Sequence, residues 1–353
     1  MDGYAITSED IKNACESSPV ELVVIDTVRA GDFPNFTVGP KESVKIMTGA
    51  PLPKGTDSVV KIEDTEEKNK IVKIKKPAGP GNNLRYKGEE IKKGEIALEK
   101  GHELKPPSLG FIAELEIKNI KVYRKPKLAL LITGGELIGL DEDLKPGKIR
   151  DTNSVILKSA LSHEKVELCY VDRVKDEFSD IEKNLEKNLE NCDVVIITGG
   201  VSVGEYDYVK DVLKNLGVQT VFWRVSQRPG GPMFFGKKDN ILFFGLPGNP
   251  ASSLVCFYEY IRPSLHRMIG KSNFFLLEVE AILLEEVSKK IGKTQFLRGL
   301  LTKKDKTFQV RPSGLQGSHI LKSFAGSNCL IIFPKDETIL AAQSRVTVHV
   351  LPI

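Results

Sequence analysis

Four short stretches of the chain carry paired glycines or prolines, with carboxylates and a fixed cation in or near them, in the way phosphate chemistry requires. Thr133-Gly134-Gly135-Glu136 and Thr198-Gly199-Gly200 each place paired glycines after an apolar run, where the missing Cβ lets backbone N–H groups approach a phosphate closely. Neither is a Gly-x-Gly-x-x-Gly or Gly-Lys-Ser/Thr loop, and each pair by itself is equally what a tight turn needs. The same segments carry acids: Glu136, Asp176 after the "YVDRV" run, and Asp207 in "GEYDY". Asp176 and Asp207 also suit the first turn of a helix, where a carboxylate caps the chain and meets its dipole. Three carboxylates converging beside phosphate loops repel one another unless a cation lies between them, so the set points to Mg²⁺ bridging protein oxygens and a substrate phosphate. Arg228-Pro229-Gly230-Gly231-Pro232 adds a fixed positive charge in a stiff loop. In Pro247-Gly248-Asn249-Pro250 two prolines fix two φ angles, and the second suits the first turn of a helix. Rigid loops of this kind, between strand ends and helix N-termini, are where open α/β sheets bind anions.

These loops need a sheet to hold them. From Lys127 the pattern is strand, glycine-rich turn, helix, repeated: "KLALLITGGE" before "NSVILKSALS", "VELCYVD" before "DIEKNLEKNLE", "DVVIITGG" before "YVKDVLKNLG", and "NILFFGLPGNP" before "ASSLVCFYEYIRPSLHRMIG". Such alternation predicts a parallel sheet covered by helices on both faces, here over residues 122–270. Ahead of it, alternating or β-branched runs at Val20–Thr27, Ser43–Met47, Ser58–Ile62 and Ile71–Ile74 are separated by Gly/Pro/Asn clusters, which predicts a β-rich domain over residues 1–94. Pro106-Pro107 opens a short helical pattern in a connector over residues 95–121. After Gly270 short strands return, and residues 271–353 read as a β-barrel-like domain. The fold class is therefore multidomain: a central parallel-sheet α/β domain flanked by two β domains.

Bulk composition agrees and excludes several classes. A chain of 353 residues is too long for one ordinary core. Its net charge of +4 comes without clustered Lys/Arg and interleaved aromatics, so nucleic acid is not the expected partner. The run Glu66-Glu67-Lys68-Asn69-Lys70 reads as solvated surface. The 5 cysteines and 5 histidines are scattered, without Cys-x-x-Cys or His-Glu-x-x-His spacing, which argues against zinc and for reduced thiols in the cytoplasm. No apolar run approaches the roughly 18 residues that span a bilayer.

In order along the chain, "MDGYA", "IMTGAPLPKGTDSVV", "GNNLRYKGEEI", "TGGEL", "GKIRDTNS", "TGGVSVGEYDY", "RPGGP" and "GLPGNPAS" resemble the molybdopterin molybdenumtransferase family, the MoeA type that includes the C-terminal domain of gephyrin. The resemblance implies an enzyme that takes adenylylated molybdopterin and molybdate, cleaves the phosphoanhydride with a divalent cation, and releases AMP and the molybdenum cofactor. It implies that Glu136, Asp176 and Asp207 organise Mg²⁺ and the pyrophosphate link. Gly199, Gly200, Ser202, Pro247, Gly248, Asn249 and Pro250 then shape the substrate pocket, and Arg228, Arg298 and Ser318 handle the oxyanion. Asp2 and Thr48 match functional positions that family members supply from the partner subunit of a homodimer.

This sequence departs from the family pattern in places. Gly135 stands where an Asp is usual, Gly231 where a second lysine is usual, and Glu90 where a shorter Asp is common. Family members also carry several dozen residues ahead of the "MDGYA" counterpart, contributing helices to the connector and central domains. Two other readings compete: a molybdopterin adenylyltransferase, which has a related α/β fold and which is also a candidate partner, and a scaffold or carrier that binds molybdopterin without turnover. Molybdate and tungstate have nearly the same size and charge, and the residues do not separate them.

Overall fold

The computed structural model describes residues 2–189, 191–200 and 208–352. The chain divides into two compact units, Met1–Ala97 and Leu98–Ile353.

The first unit is built on one six-stranded sheet. Its strands are β1 (Gly3–Ile6), β2 (Val20–Val28), β3 (Glu42–Ile46), β4 (Ser58–Lys61), β5 (Thr65–Lys68) and β6 (Ile71–Ile74), in the order β4-β1-β3-β2-β6-β5. All neighbours are antiparallel except β2 and β3. Tyr4, Ile6, Leu22, Val60, Val72 and Ile74 form its main core. The Glu66–Lys68 run is part of strand β5, and the hairpin to β6 turns at Asn69 and Lys70, both with positive φ. These charged residues stay on the outside of the strand, but Glu67 is engaged, accepting from the Tyr4 hydroxyl at 2.6 Å.

The second unit opens with helix α1 (Pro106–Glu114) and continues through β7 (Lys127–Thr133), the short parallel pair β8 (Leu137–Ile138) and β9 (Ile149–Arg150), α2 (Thr152–Ser162), β10 (Glu167–Val174), α3 (Phe178–Leu189), β11 (Val194–Thr198), α4 (Val209–Asn215), β12 (Gln219–Trp223), β13 (Gln227–Arg228), β14 (Phe234–Lys238) and β15 (Ile241–Leu246). Helices α5 (Pro250–Cys256) and α6 (Arg262–Met268) follow, joined by a π-helical turn at Phe257–Ile261. The sheet order is β10-β7-β11-β15-β14-β12. β10, β7, β11 and β15 are parallel, as the strand–turn–helix alternation predicts, and β14 and β12 extend the sheet antiparallel.

Strand alternation explains the layers. Leu128, Leu130 and Ile132 face one way and pack with Leu157, Leu161, Val255 and Phe257 of α2, α5 and the π turn. Ala129 and Leu131 face the other way and pack with Ile181, Leu185, Val209, Val212 and Leu213 of α3 and α4. Every residue of β11 is buried, as a central strand covered on both faces requires.

The rest of this unit is β16 (Leu277–Leu283), β17 (Val287–Ser288), β18 (Thr294–Lys304), β19 (Thr307–Pro312), α7 (Lys322–Ala325), β20 (Cys329–Phe333), β21 (Ile339–Leu340) and β22 (Arg345–Val350). The ring β18-β19-β16-β22-β20 closes because β20 pairs back onto β18, giving a five-stranded barrel. Two-residue β13 pairs in parallel with β18, stitching a loop of the α/β layer to the barrel.

Candidate active site

The functional loops leave one edge of the central sheet. Val174 is in register with Thr133, and Thr198 with both Ile132 and Leu246, so the carboxyl ends of β10, β7, β11 and β15 lie side by side. Thr133 Oγ1 donates to the Thr198 carbonyl at 3.2 Å, and Gly199 N–H donates to the Leu246 carbonyl at 3.1 Å. Gly199 has φ +85°, and a Cβ there would stand 2.5 Å from the Thr133 carbonyl oxygen, so only glycine fits this approach.

The Pro247–Pro250 loop is pinned from below. Pro247 carbonyl accepts from Ser253 Oγ at 2.6 Å, and Gly248 carbonyl accepts from Asn153 Nδ2 at 2.8 Å. Asn153 is set in the first turn of α2 because Asp151 caps that helix, accepting from Ser154 N–H at 2.9 Å. The "RDTNS" segment is thus a cap followed by a loop anchor. Asn249 is the N-cap position of α5, with Pro250 in its first turn. Its side chain makes no capping hydrogen bond, so that amide is not spent on the helix.

A cavity of about 300 Å³ opens where these loops meet, lined by Gly200, Arg228, Pro247, Gly248, Asn249, Ser252, Lys293 and Ser318 among others. Arg228 is exposed at the end of β13, while its neighbour Gln227 is buried, donating to the Pro229 carbonyl at 3.1 Å and accepting from the Tyr260 hydroxyl. At Gly230 (φ +86°) a Cβ would lie 2.6 Å from Cys256 Sγ, so the loop presses against α5. Ser318 arrives from the barrel side, its carbonyl accepting from Ala251 N–H at 3.1 Å. The described lining contains two cations and no carboxylate, which suits an oxyanion.

Of the expected acids, Asp176 lies two residues past β10 and is half-buried. Its Oδ1 is enclosed and has no hydrogen-bond partner among the described residues, as is true of Thr198 Oγ1. A carboxylate oxygen enclosed without a donor is suited to a hard cation. Glu136 is exposed between β7 and β8, its backbone carbonyl accepting from Ile149 N–H at 2.9 Å. Among the described residues no three His, Cys, Asp or Glu groups converge as a metal site. Asp207 and Ser202 lie outside the described residues.

Arg298 does not line the cavity. It is fully buried, with Nε donating to Ser323 Oγ at 3.1 Å and Nη2 to the carbonyls of Leu315 and Gly317 at 3.1 and 3.0 Å. It therefore stands behind the segment that carries Ser318. In the other unit Asp2 and Thr48 are paired: an Asp2 carboxylate oxygen accepts from Thr48 N–H at 2.9 Å and from its hydroxyl at 3.0 Å. The backbone bond first and the hydroxyl second hold the Asp2 carboxyl below its ordinary range.

Sequence reasoning missed Lys293, Ser252 and the anchoring role of Asn153. Asn153 and Ser252 sit inside quoted motifs and were within reach. Lys293 carries no local signal, because only the pairing of β13 with β18 brings it to the loops.

A three-layer α/β core with glycine loops and a cationic cavity at the carboxyl edge of its sheet has the chemistry to receive a phosphate-type anion. Residues 129–267 match the probable molybdopterin binding domain, residues 1–115 the MoeA N-terminal region (domain I and II), and residues 280–351 the MoeA C-terminal region (domain IV). The chain is 34% identical over 352 residues to the molybdopterin molybdenumtransferase of Haemophilus influenzae, covering 99% of this chain and 86% of that one. It is 33% identical to the enzyme of the same name from Staphylococcus aureus strain Mu50, covering 94% and 80%. The crystal structure of the molybdopterin biosynthesis MoeA protein from Pyrococcus horikoshii OT3 superposes with a TM-score of 0.83 at 30% identity, covering 99% and 86%. The chain belongs to the MoeA family.

Proposed function

We propose that this chain is a molybdopterin molybdenumtransferase that inserts molybdate into adenylylated molybdopterin and releases AMP. The observation that carries the reading is the cavity at the carboxyl edge of the central sheet, where Arg228 and Ser318 face the Pro247–Pro250 loop with no carboxylate in the described lining. A tetrahedral oxyanion held there sits beside the glycine loops that receive the phosphates of the same substrate.

The chain's residues divide the work by chemistry. Gly199, Gly200 and Gly248 let backbone approach the substrate, Pro247 and Pro250 keep that backbone in place, and Asn153 and Ser253 brace it from behind. Arg228 offers a planar donor fork to the oxyanion. Asp176 and Glu136 would hold Mg²⁺ through hard oxygen donors, the enclosed Asp176 Oδ1 being the better placed. Bound there, Mg²⁺ would supply neutralisation of the anhydride charge. The reaction breaks the P–O bond between the adenylyl group and molybdopterin phosphate, with water completing the AMP, while the two dithiolene sulfurs replace one oxide of molybdate, which leaves as water with the two thiol protons. We assign Asp2 and Thr48 to the site of the other subunit in a cytoplasmic homodimer. The adenylylated substrate comes from an adenylyltransferase, and tungstate can replace molybdate as cargo.

The test is AMP release from adenylylated molybdopterin with molybdate, with and without Mg²⁺. Release that requires both supports the reading. Retention of the compound without AMP would make the chain a carrier, the reading that Gly135 and Gly231 favour by removing a carboxylate and a cation from the family pattern. Formation of the compound from ATP would make it the adenylyltransferase.

A further inference from the structure

Lys293 belongs to the barrel, yet it lines the same cavity as Arg228. Its position is built rather than incidental. Thr294 pairs with Gln227 and Gln295 with Arg228 in the parallel ladder of β13 and β18. Thr294 N–H donates to the Ser226 carbonyl at 3.1 Å, and Ser226 Oγ donates to the Gly292 carbonyl at 2.9 Å. Lys293, the residue just ahead of β18, is thereby fixed beside β13 and lines the cavity together with Arg228. Neither cation makes an ion pair with a described residue, although 14 such pairs occur elsewhere.

Two cations lining one cavity repel each other unless an anion lies between them. A monovalent anion neutralises one of them and a divalent anion both. Gly231, in the same loop, brings no charge of its own. The second charge has to arrive from another element, and the barrel provides it.

We propose that Lys293 is the charge-selecting residue of the oxyanion site: with Arg228 it makes the cavity specific for a divalent tetrahedral oxyanion over a monovalent one of the same shape. The assignment rests on the oxyanion reading above and adds to it a residue and a selection rule.

The test compares binding of tungstate, which is divalent, with perrhenate, which is monovalent and nearly isosteric, by equilibrium dialysis against the full chain. Wild type binds tungstate at least about ten-fold more tightly than perrhenate. Lys293→Gln weakens tungstate about ten-fold and changes perrhenate far less, so the preference collapses, whereas Lys293→Arg keeps it. A Lys293→Gln protein that retains the wild-type preference overturns the role of Lys293 and leaves the oxyanion site standing. A wild-type protein that binds neither anion overturns the oxyanion reading itself.

Discussion

Arg298 Nη2 donates to the Gly317 carbonyl at 3.0 Å, one residue before the serine that lines the cavity. The same nitrogen reaches the Leu315 carbonyl, and the Gln316 side chain closes on the Arg298 backbone, accepting from its N–H at 2.8 Å and donating to its carbonyl at 3.0 Å. Burial pushes the guanidinium pKa down to about 10, which still leaves it charged at neutral pH. A planar, forked cation on β18, on the face turned away from the barrel core, thus shapes the loop that presents Ser318.

Replacing Arg298 by Lys keeps the charge and loses the fork. We expect a loss of about 2–3 kcal/mol of stability, from buried carbonyls left without donors, together with weaker tungstate binding as the Ser318 loop loosens. Urea unfolding and dialysis measure the two effects. Wild-type values in both would show that the loop holds its shape without Arg298.

The glycines of the site differ sharply in what they tolerate. At Gly135 a Cβ would meet nothing within 4 Å, whereas at Gly199 it would meet backbone at 2.5 Å under a positive φ. Gly135→Asp should fold with stability within about 0.5 kcal/mol of wild type and should lower the Mg²⁺ concentration needed for half-maximal AMP release. Gly199→Ala should cost about 2 kcal/mol or more and abolish release. A Gly135→Asp protein with unchanged Mg²⁺ dependence would remove this position from the metal argument.

What could be read from the sequence follows from burial. β7, β11 and β15 are covered on both faces, so they appear as unbroken apolar runs. β12 could not be recognised in the same way: it is an edge strand whose Gln219, Thr220 and Val221 are exposed, and its antiparallel neighbour β14 carries Gly236 and two lysines. The Pro247–Pro250 loop was legible because proline announces its own rigidity. The roles of Lys293 and Arg298 were not, since a lysine beside a strand and an arginine within one look alike whether they face solvent, a cavity or a core. The β13–β18 ladder and the closure of the barrel decide between those fates, and neither is local.

A pH response follows from His349, on β22, which bonds Glu259 of the π turn through Nδ1 at 2.9 Å and faces Glu278 of β16 at 3.7 Å. Burial opposes its charge, but the Glu259 hydrogen bond and the two carboxylates outweigh it, and the pKa is raised. A base with a raised folded pKa contributes stability that is fully present below its unfolded value, about 6.5, and lost as pH rises through the folded value. His349→Gln keeps hydrogen bonding without the charge. The wild type should exceed it by about 1 kcal/mol near pH 6, with the gap closing as pH rises through the raised folded value. Thermal unfolding across that range checks this, and a gap that widens with pH would contradict it.

The shared-site proposal for Asp2 and Thr48 can be separated from a self-contained subunit by complementation. Asp2→Asn removes a charge while leaving an amide oxygen for the Thr48 N–H and hydroxyl, so the β domain should keep its fold. Asp176→Asn likewise preserves shape at the edge of the central sheet. Each homodimer should be nearly inactive in AMP release if both carboxylates serve the site. When the two variants are mixed and exchange subunits at random, half of the dimers are mixed. In each mixed dimer one site pairs both mutant residues and the other pairs both native ones. Activity should then recover to about a quarter of the wild-type value. If exchange is demonstrated by mass measurement and no activity returns, Asp2 serves the site of its own subunit and the two-subunit arrangement is wrong.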